Sequence, residues 1–190
     1  MVKIGFICEG QTEAELVSSN NFNSYLNSIG LEFINALNAK GSGNLLSYNI
    51  KPYIQALERL RAQKIIILTN LDEDKCITIT KQRMNARPQD IVIVAIKEIE
   101  AWFLANTPAM SIMLGNDNFY FEFPEKEMRP FETINQLLIK HTTRGIGKKS
   151  AGKITLVRNL LNIGFDVRQS AAHPNCPSAA YFLKKLNELT

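Results

Sequence analysis

Short apolar runs alternate with amphipathic segments over the first half of the chain. The apolar runs predict buried strands at residues 3–8, 31–37, 65–68 and 91–96. Helical spacing and capping signals, including a capping box of Thr12 and Glu15, predict helices at residues 12–28, 50–62 and 77–84. Strands joined by helices in this order pair in parallel. We therefore predict an α/β fold with a mainly parallel central sheet and helices on both faces.

The pattern changes beyond residue 98. Helical spacing predicts four helices, at residues 99–106, 131–140, 150–161 and 178–189, the last two with Ser150 and Ser178 as N-caps. Residues 115–130 are rich in aromatic, acidic and proline residues without a clear period, which predicts a long loop or a small insertion. A chain of 190 residues is short for two domains. We predict an α/β core over residues 1–106, with a loop and helical extension over residues 107–190 packed on the same domain.

Composition limits the cellular locations and the kinds of cysteine site that the chain allows. The chain is 45% hydrophobic, but no apolar run approaches the roughly 20 residues that span a bilayer. The first apolar run soon meets Glu9 and does not form a long signal core. Cys8, Cys76 and Cys176 are widely spaced without a CxxC pattern, which argues against a disulfide framework or a zinc knuckle. We expect a cytoplasmic protein with no membrane partner.

Charge is unevenly distributed along the chain. Residues 1–125 carry 11 Lys and Arg against 14 Asp and Glu, a net −3, whereas residues 126–190 carry 11 against 4, a net +7. The densest basic part consists of Lys140, Arg144, Lys148, Lys149, Lys153 and Arg158. Such a patch suits a polyanion, and Arg144, Lys148, Lys149 and Lys153 are candidate nucleic-acid-binding residues. A solvated surface without a ligand is an equally good interpretation.

Acidic residues follow two of the predicted strands. Glu9 comes directly after the first, and Asp72 and Asp74 come shortly after the third. In an extended segment Asp72 and Asp74 would point to the same side, where they could hold Mg²⁺ or Mn²⁺. Glu9, from the neighbouring strand, would complete the metal shell or act as general acid or base. The alternative is that these acids are N-caps and turn formers.

Two further acids are candidates for catalysis. Glu13 lies in the first turn of the first predicted helix, where the helix dipole favours an acid with or without a catalytic role. Glu100 lies just past the edge of the fourth strand. The alternative to a catalytic role for Glu100 is that it occupies a solvent-facing position of the helix, opposite Trp102.

Three segments resemble a known group of proteins. Cys8-Glu9-Gly10-Gln11-Thr12-Glu13, followed about sixty residues later by Asp72-Glu73-Asp74, resembles the Toprim domain of primases, of type IA and II topoisomerases and of overcoming-lysogenization-defect nucleases. The segment from Glu98 to Ala105 is similar to that of an uncharacterised prokaryotic branch of Toprim-like proteins. The resemblance implies a Toprim-like, Rossmann-type three-layer sandwich in which Glu9 acts as general base or acid and Asp72 and Asp74 bind Mg²⁺. It also implies a defence system with an AAA-type ATPase partner.

The function predicted from these features is metal-dependent phosphodiester hydrolysis or nucleotidyl transfer on DNA or RNA. Two alternatives remain open at this point. A small-molecule phosphatase or phosphotransferase would also place aspartates at strand ends, with a covalent aspartyl phosphate. A non-catalytic Toprim-like module would bind nucleic acid or an ATPase partner without turnover.

Overall fold

The structure is a computed structural model that describes residues 1–147 and 149–190, with the backbone alone at residues 149 and 150. Its described residues form one parallel sheet in the order β2-β1-β3-β4. The strands are β1 (Val2–Cys8), β2 (Leu31–Asn38), β3 (Lys64–Asn70) and β4 (Ile91–Ala95). The predicted α/β class with a parallel sheet and helices on both faces is confirmed. The third strand runs two residues beyond its predicted end, through Thr69 and Asn70.

Helices surround this sheet. In the described residues they are α1 (Gln11–Val17), α2 (Asn20–Ser28), α3 (Lys51–Arg59), α4 (Ile77–Met84), α5 (Glu100–Ala105), α6 (Thr107–Leu114), α7 (Pro130–Thr142), α8 (Lys149–Asn162), α9 (Val167–Ala171) and α10 (Pro177–Asn187). Short 3₁₀ turns cover Ser42–Leu45 and Pro124–Lys126. None of the described helices is long and apolar enough to cross a bilayer.

The two faces of the sheet carry separate apolar clusters, because side chains alternate along each strand. On β1, Ile4 and Phe6 face the larger cluster, which also takes in α1, α2 and most of the carboxyl-terminal helices. Ile7 faces the smaller cluster beneath α3 and α4. A Cβ at Gly5 would lie 2.8 Å from Leu57 Cδ2, so the glycine allows α3 to pack closely on β1.

The carboxyl-terminal helices close the larger face. Phe182 of α10 stacks against Trp102 with ring centroids 5.4 Å apart and against Phe22 at 5.6 Å, and it meets Phe6 edge-on at 6.4 Å. All four rings are buried. Residues beyond 106 therefore contribute to the same core as the first strand.

Several predicted boundaries are wrong for identifiable local reasons. The helix predicted at residues 12–28 is interrupted because Ser19 accepts a hydrogen bond from Phe22 N at 3.3 Å and starts α2. The capping box pairs Gly10 with Glu13, not Thr12 with Glu15, since Gly10 N donates to Glu13 Oε2. Ser178 lies inside α10, whose N-cap is Cys176. Helices α6 and α9 were not predicted.

The strand order places a topological switch between β1 and β3. The chain moves from β1 to β2 on one side and then crosses to β3 on the other. In open parallel sheets, the crevice beyond the carboxyl ends of two such strands is the usual ligand site. Glu9 lies directly beyond β1 at this point, and its N–H donates to Leu68 O at 2.9 Å.

Candidate functional site

A cavity of about 360 Å³ opens at the switch between β1 and β3. We call it the acidic pocket. Five acidic residues line it, namely Glu9, Glu13, Asp72, Glu98 and Glu100, together with the cations of Lys40 and Lys153. The structure thus brings together Glu9, Glu13, Asp72, Glu100 and Lys153 from the predicted set.

The carboxylate of Glu9 is held by the end of β3. Thr69 Oγ1 donates to Glu9 Oε2 at 2.6 Å, and Asn70 N donates to the same oxygen at 3.0 Å. Both described donors are neutral, so they orient the carboxylate without cancelling its charge. Glu9 is half-buried, which leaves it accessible from the pocket.

Asn70 connects three elements at the floor of the pocket. Its side chain donates to Glu13 Oε1 at 2.8 Å and accepts from Ile99 N at 2.9 Å, ahead of α5. Burial raises the pKa of Glu13, and the hydrogen bonds from the backbone and from Asn70 act in the opposite direction. Glu13 therefore serves as a cap of α1 and as a buried acid of the pocket at once.

Glu98 and Glu100 share one ammonium group. Lys153 Nζ lies 3.1 Å from Glu98 Oε1 and 3.2 Å from Glu100 Oε2. Glu100 is fully buried, which excludes the solvent-facing alternative, and its Oε1 has no hydrogen-bond partner among the described residues. Burial raises the pKa of Glu100 to about 7, against the opposing charge of Lys153. For Lys153, burial lowers the pKa, but the charges of Glu100 and Glu98 outweigh it and the pKa is raised.

The segment with Asp72 and Asp74 is a turn and not the extended segment that was predicted. Asp74 N donates to Leu71 O at 2.9 Å, and Asp72 adopts a left-handed conformation with φ of +48°. Asp72 consequently lines the pocket, whereas Asp74 accepts from Thr80 Oγ1 at 2.8 Å and pairs with Arg83 at 3.0 Å. Asp74 is not among the described residues that line the pocket.

The predicted basic patch is divided by the structure. Lys153 lies in the pocket rather than on an open surface, and Arg144 is exposed. Lys148 and the side chain of Lys149 lie outside the described residues. A close approach of α8 to α7 sets the position of Lys153: a Cβ on the preceding Gly152 would lie 2.7 Å from Phe131 Cζ.

Three contributors to the site were missed in the sequence. The apolar run predicts a third strand that ends at Leu68, whereas Asn70 is the last residue of β3, and the polar pair after the buried run is the available signal. Glu98 begins the segment that resembles Toprim-like proteins, but the sequence does not predict it as a site residue. Lys40, in the glycine-containing loop after β2, lines the pocket with an exposed side chain and φ of +61°.

A divalent metal requires several donor atoms that converge on one point. Among the described residues, no group of three or more His, Cys, Asp or Glu side chains is arranged to hold a metal by itself. Mg²⁺ commonly takes one or two protein carboxylates and completes its shell with water and substrate oxygens. The carboxylates of Glu9 and Asp72, which line the pocket, are oxygen donors of the kind that such a cation takes.

Similarity to known proteins was found only among solved structures. No protein-family model matches the chain, and no curated protein sequence matches it. The C-terminal region of the Burkholderia pseudomallei OLD protein aligns with a TM-score of 0.45 and 13% identity over 98% of this chain and 98% of that chain. The C-terminal region of the Xanthomonas campestris pv. campestris OLD protein aligns with a TM-score of 0.41 and 15% identity over 98% and 96% of the two chains.

Proposed function

We propose that the acidic pocket hydrolyses or transfers phosphodiesters of DNA or RNA with the help of Mg²⁺ or Mn²⁺, as a Toprim-like protein. The observation that carries this proposal is the convergence of five acidic residues and two lysines in one cavity at the topological switch. Carboxylates attract a divalent cation, and lysines neutralise a phosphate. Acidic residues alone would suit a site that only binds cations, and lysines alone would suit a site that only binds anions. Their combination favours metal-assisted phosphate chemistry.

Glu9 is the proposed general base or acid. Thr69 and Asn70 fix its Oε2, which leaves Oε1 to accept a proton from an attacking water or to return one to the leaving oxygen. Glu13 and Glu100, the other catalytic candidates, are buried beside it and set the charge of the pocket.

Asp72 is the residue proposed to hold the metal, and Glu9 would complete the metal shell as the alternative to its role as general base or acid. When bound, the ion supplies Lewis-acid polarisation of a phosphate oxygen. Asp74 was predicted as a ligand, but its contacts with Thr80 and Arg83 give it a different role in this conformation, that of securing the turn to α4. The turn then presents Asp72 to the pocket.

Nucleic acid is the proposed substrate because two lysines line the pocket and the segment that leads into α8 is basic. Lys40 lies on the β2 side, Lys153 is on α8, and Arg144 is in the segment before α8. Lys148 and Lys149 belong to this proposed surface on the basis of the sequence. An AAA-type ATPase partner likewise stays a prediction from the sequence resemblance.

Nuclease assays of Glu9→Gln test the proposal. Purified wild-type chain, Glu9→Gln and Asp72→Asn would be incubated with single- and double-stranded DNA and RNA in Mg²⁺ or Mn²⁺. We expect Glu9→Gln to lower cleavage by about 100-fold or more, the usual contribution of a general acid or base. Glu73→Gln is the matched control, because Glu73 is exposed in the same turn and is not among the described residues that line the pocket. It should stay within about twofold of wild type.

The same assays separate the alternatives. Cleavage unchanged in Glu9→Gln contradicts the proposed role of that residue. Turnover of a phosphomonoester such as p-nitrophenyl phosphate, without action on polynucleotides, identifies a phosphatase. Oligonucleotide binding without turnover in any metal, retained after Glu9, Asp72 and Asp74 are neutralised, identifies a binding module.

A further inference from the structure

The outer edge of β4 lies at the floor of a groove between α4 and α10. Two cavities of about 630 and 350 Å³ follow this edge, and both are lined by Lys81 and Tyr181. Ile91 and Val92 line the larger cavity, and Val94 lines the smaller one. Within the described part of the chain, β4 pairs with β3 alone, so no further strand covers this edge. We call the two cavities together the edge groove.

The smaller cavity of the edge groove is mainly apolar. Ile77 of α4, Val94 and Ile96 beside the sheet and Pro177 of α10 line it. The hydroxyl of Ser178 also reaches it, but this group already accepts from Trp102 Nε1 at 2.7 Å and donates to Glu125 Oε1. The volume is at the lower end of the roughly 300–1,000 Å³ that ligand pockets occupy. The cavity can therefore receive an apolar side chain.

Two ammonium groups lie over one ring at the centre of the groove. Lys81 Nζ is 5.0 Å from the centroid of the Tyr181 ring and 3.4 Å from its hydroxyl, and Lys185 Nζ is 5.5 Å from the same centroid. Lys185 also pairs with Glu188 at 2.5 Å. Lys81 has no carboxylate partner among the residues that the structure describes. Its charge is therefore the one at the centre that an incoming acid would neutralise.

The walls of the groove share this positive charge. Helices α4 and α10 carry four basic residues and no acidic residue within their bounds, namely Lys81, Arg83, Lys184 and Lys185. The complementary ligand combines an acidic side chain for Lys81 with an apolar side chain for the smaller cavity. A polynucleotide would meet the lysines but leave the apolar cavity unfilled. A second copy of this chain, docked across the centre of the groove, would bring two Lys81 ammoniums together.

The contact that crosses the groove is weak enough to be replaced. A distance of 3.4 Å between Lys81 Nζ and the Tyr181 hydroxyl is long for a hydrogen bond. A carboxylate at this place would form a charge-assisted bond, which is shorter and stronger. Helix α4 is also lightly anchored, because Thr80 and Met84 are its buried residues and Ile79 is 42% exposed. Small movements of this wall would widen the groove at little cost in apolar contact.

We propose that the edge groove binds an extended segment of a partner protein, with an apolar side chain in the smaller cavity and an acidic side chain on Lys81. An extended peptide suits two cavities that follow one strand edge. The edge groove and the acidic pocket have no lining residue in common among those described. The inference goes beyond the proposed function and does not depend on it.

Peptide selection on the folded wild-type chain tests this inference. Short random peptides displayed on phage would be enriched on the immobilised protein, and the most enriched sequence would be synthesised with a fluorescent label. We expect enriched sequences to hold Asp or Glu next to Leu, Ile, Val or Phe. Addition of this peptide to the ¹⁵N-labelled chain should shift the amide signals of α4, β4 and α10 and leave those of the acidic pocket unchanged.

Two variants address the two parts of the groove separately. Lys81→Glu should weaken peptide binding by about tenfold or more in fluorescence anisotropy, the usual effect of losing a charged hydrogen bond. Ile77→Glu should weaken it similarly, because it places a carboxylate in the apolar cavity. Ile77 is the first residue of α4, where the helix dipole favours an acid, so this variant should fold. Amide spectra of each variant check the fold.

Matched controls lie on the same two helices. Ile79→Glu makes the same change on α4 at an exposed position, and Lys184→Glu reverses a charge on α10. Neither residue is among the described residues that line the edge groove. Both variants should bind the peptide within about threefold of wild type. Equal losses in Lys81→Glu and Lys184→Glu would overturn the inference, because they would show attraction by net charge alone.

Other outcomes also overturn the inference. One is a selection that enriches no sequence, or one whose peptides lack acidic residues. Another is a single-stranded oligonucleotide, and no peptide, that shifts the signals of α4 and α10, which would identify a nucleic-acid surface. A third is a concentration-dependent dimer that Lys81→Glu changes, which would identify a contact between copies. Loss of cleavage in Glu9→Gln should leave peptide binding unchanged, so each proposal can fail without the other.

Discussion

The acidic pocket has two sides that are built from the same kind of residue but have opposite electrostatic outcomes. We call Glu9 and Glu13 the neutral-donor half and Glu98 and Glu100 the lysine-bound half. Glu9 and Glu13 are held by hydroxyl and amide donors from the ends of β3 and β1. Glu98 and Glu100 are held by an ammonium that comes from a helix more than 50 residues further along the chain. Neutral donors fix the position of a carboxylate and preserve its charge, whereas an ammonium fixes the position and removes the charge.

This difference suggests a separate function for each half, which the number of acidic residues alone would not distinguish. Under the proposed function, the neutral-donor half would take part in metal binding and proton transfer. The half with compensated charge is suited to holding α5 and α8 together at the edge of the sheet. The predictions below break one half at a time, so that the two sets of effects can be compared.

Asn70→Ala should have the largest effect, because it breaks the neutral-donor half. It leaves Glu13 Oε1 and Ile99 N without their described partner inside the protein. We expect the free energy of unfolding to fall by about 4 kcal/mol, since each unsatisfied buried group costs roughly 1–3 kcal/mol. Urea denaturation measures the change.

Asn38→Ala is the matched control for Asn70→Ala. Asn38 also ends a strand and lines the pocket. Its side chain donates to Gln11 Oε1 at 3.0 Å and accepts from Lys40 N at 2.7 Å, and both bonds are open to solvent. Its loss should change the free energy of unfolding by less than about 1 kcal/mol. Equal losses in the two variants would show that Asn70 has no special place in the pocket.

Glu100→Gln tests the lysine-bound half, because it should change how the free energy of unfolding depends on pH. Because folding raises the pKa of Glu100 from 4.5 to about 7, the folded chain binds this proton more tightly than the unfolded chain. The stability from Glu100 is therefore full below pH 4.5 and is lost as the pH rises towards 7. The loss is on the order of 3 kcal/mol, and Glu100→Gln should remove it. Urea denaturation at pH 5, 6, 7 and 8 measures the slope.

Glu15→Gln is the control for this pH dependence. The hydrogen bond from Arg158 lowers the pKa of Glu15, so its contribution is lost only as the pH falls below 4.5. The slope between pH 5 and pH 8 should thus be the same in Glu15→Gln as in the wild type. A Glu100→Gln slope that matches the wild type would contradict the buried position of Glu100.

Arg83→Ala should have the smallest effect, because Asp74 belongs to neither half. The Arg83–Asp74 pair is partly exposed, and such pairs contribute roughly 0.2–1 kcal/mol. Affinity for Mn²⁺ should stay within about twofold of wild type in a calorimetric titration. A tenfold change in that affinity would show that Asp74 contributes to metal binding.

Most of the fold was predictable because it depends on local patterns. The apolar runs marked all four strands, and the order of strands and helices implied parallel pairing. The position of Glu9 followed from the same logic, since an acid after a buried strand lies at the edge of the sheet. Local patterns failed where a hydrogen bond between residues three apart determines the backbone conformation, as at Ser19 and in the turn before Asp74.

The internal organisation of the pocket was less accessible to prediction. The pairing of Lys153 with Glu100 depends on how α8 packs on α7, and no periodicity near Lys153 encodes that contact. The role of Asn70 in the pocket was not predicted, because a polar residue after an apolar run resembles the end of a strand. Both residues acquire their roles through contacts with distant parts of the chain.

The stacking of Phe182 on Trp102, Phe22 and Phe6 has a consequence for biosynthesis. Phe6 of the first strand packs against Phe182, which lies more than 170 residues later in the chain. Contacts so distant in sequence slow the search for the native state. While the chain emerges from the ribosome, the larger face of the sheet presents bare aromatic surface until α10 has been synthesised. Such surface is prone to aggregation and is the kind that chaperones bind. A released chain truncated before residue 177 should consequently remain associated with chaperones, whereas a released chain that includes α10 can close its core and leave them.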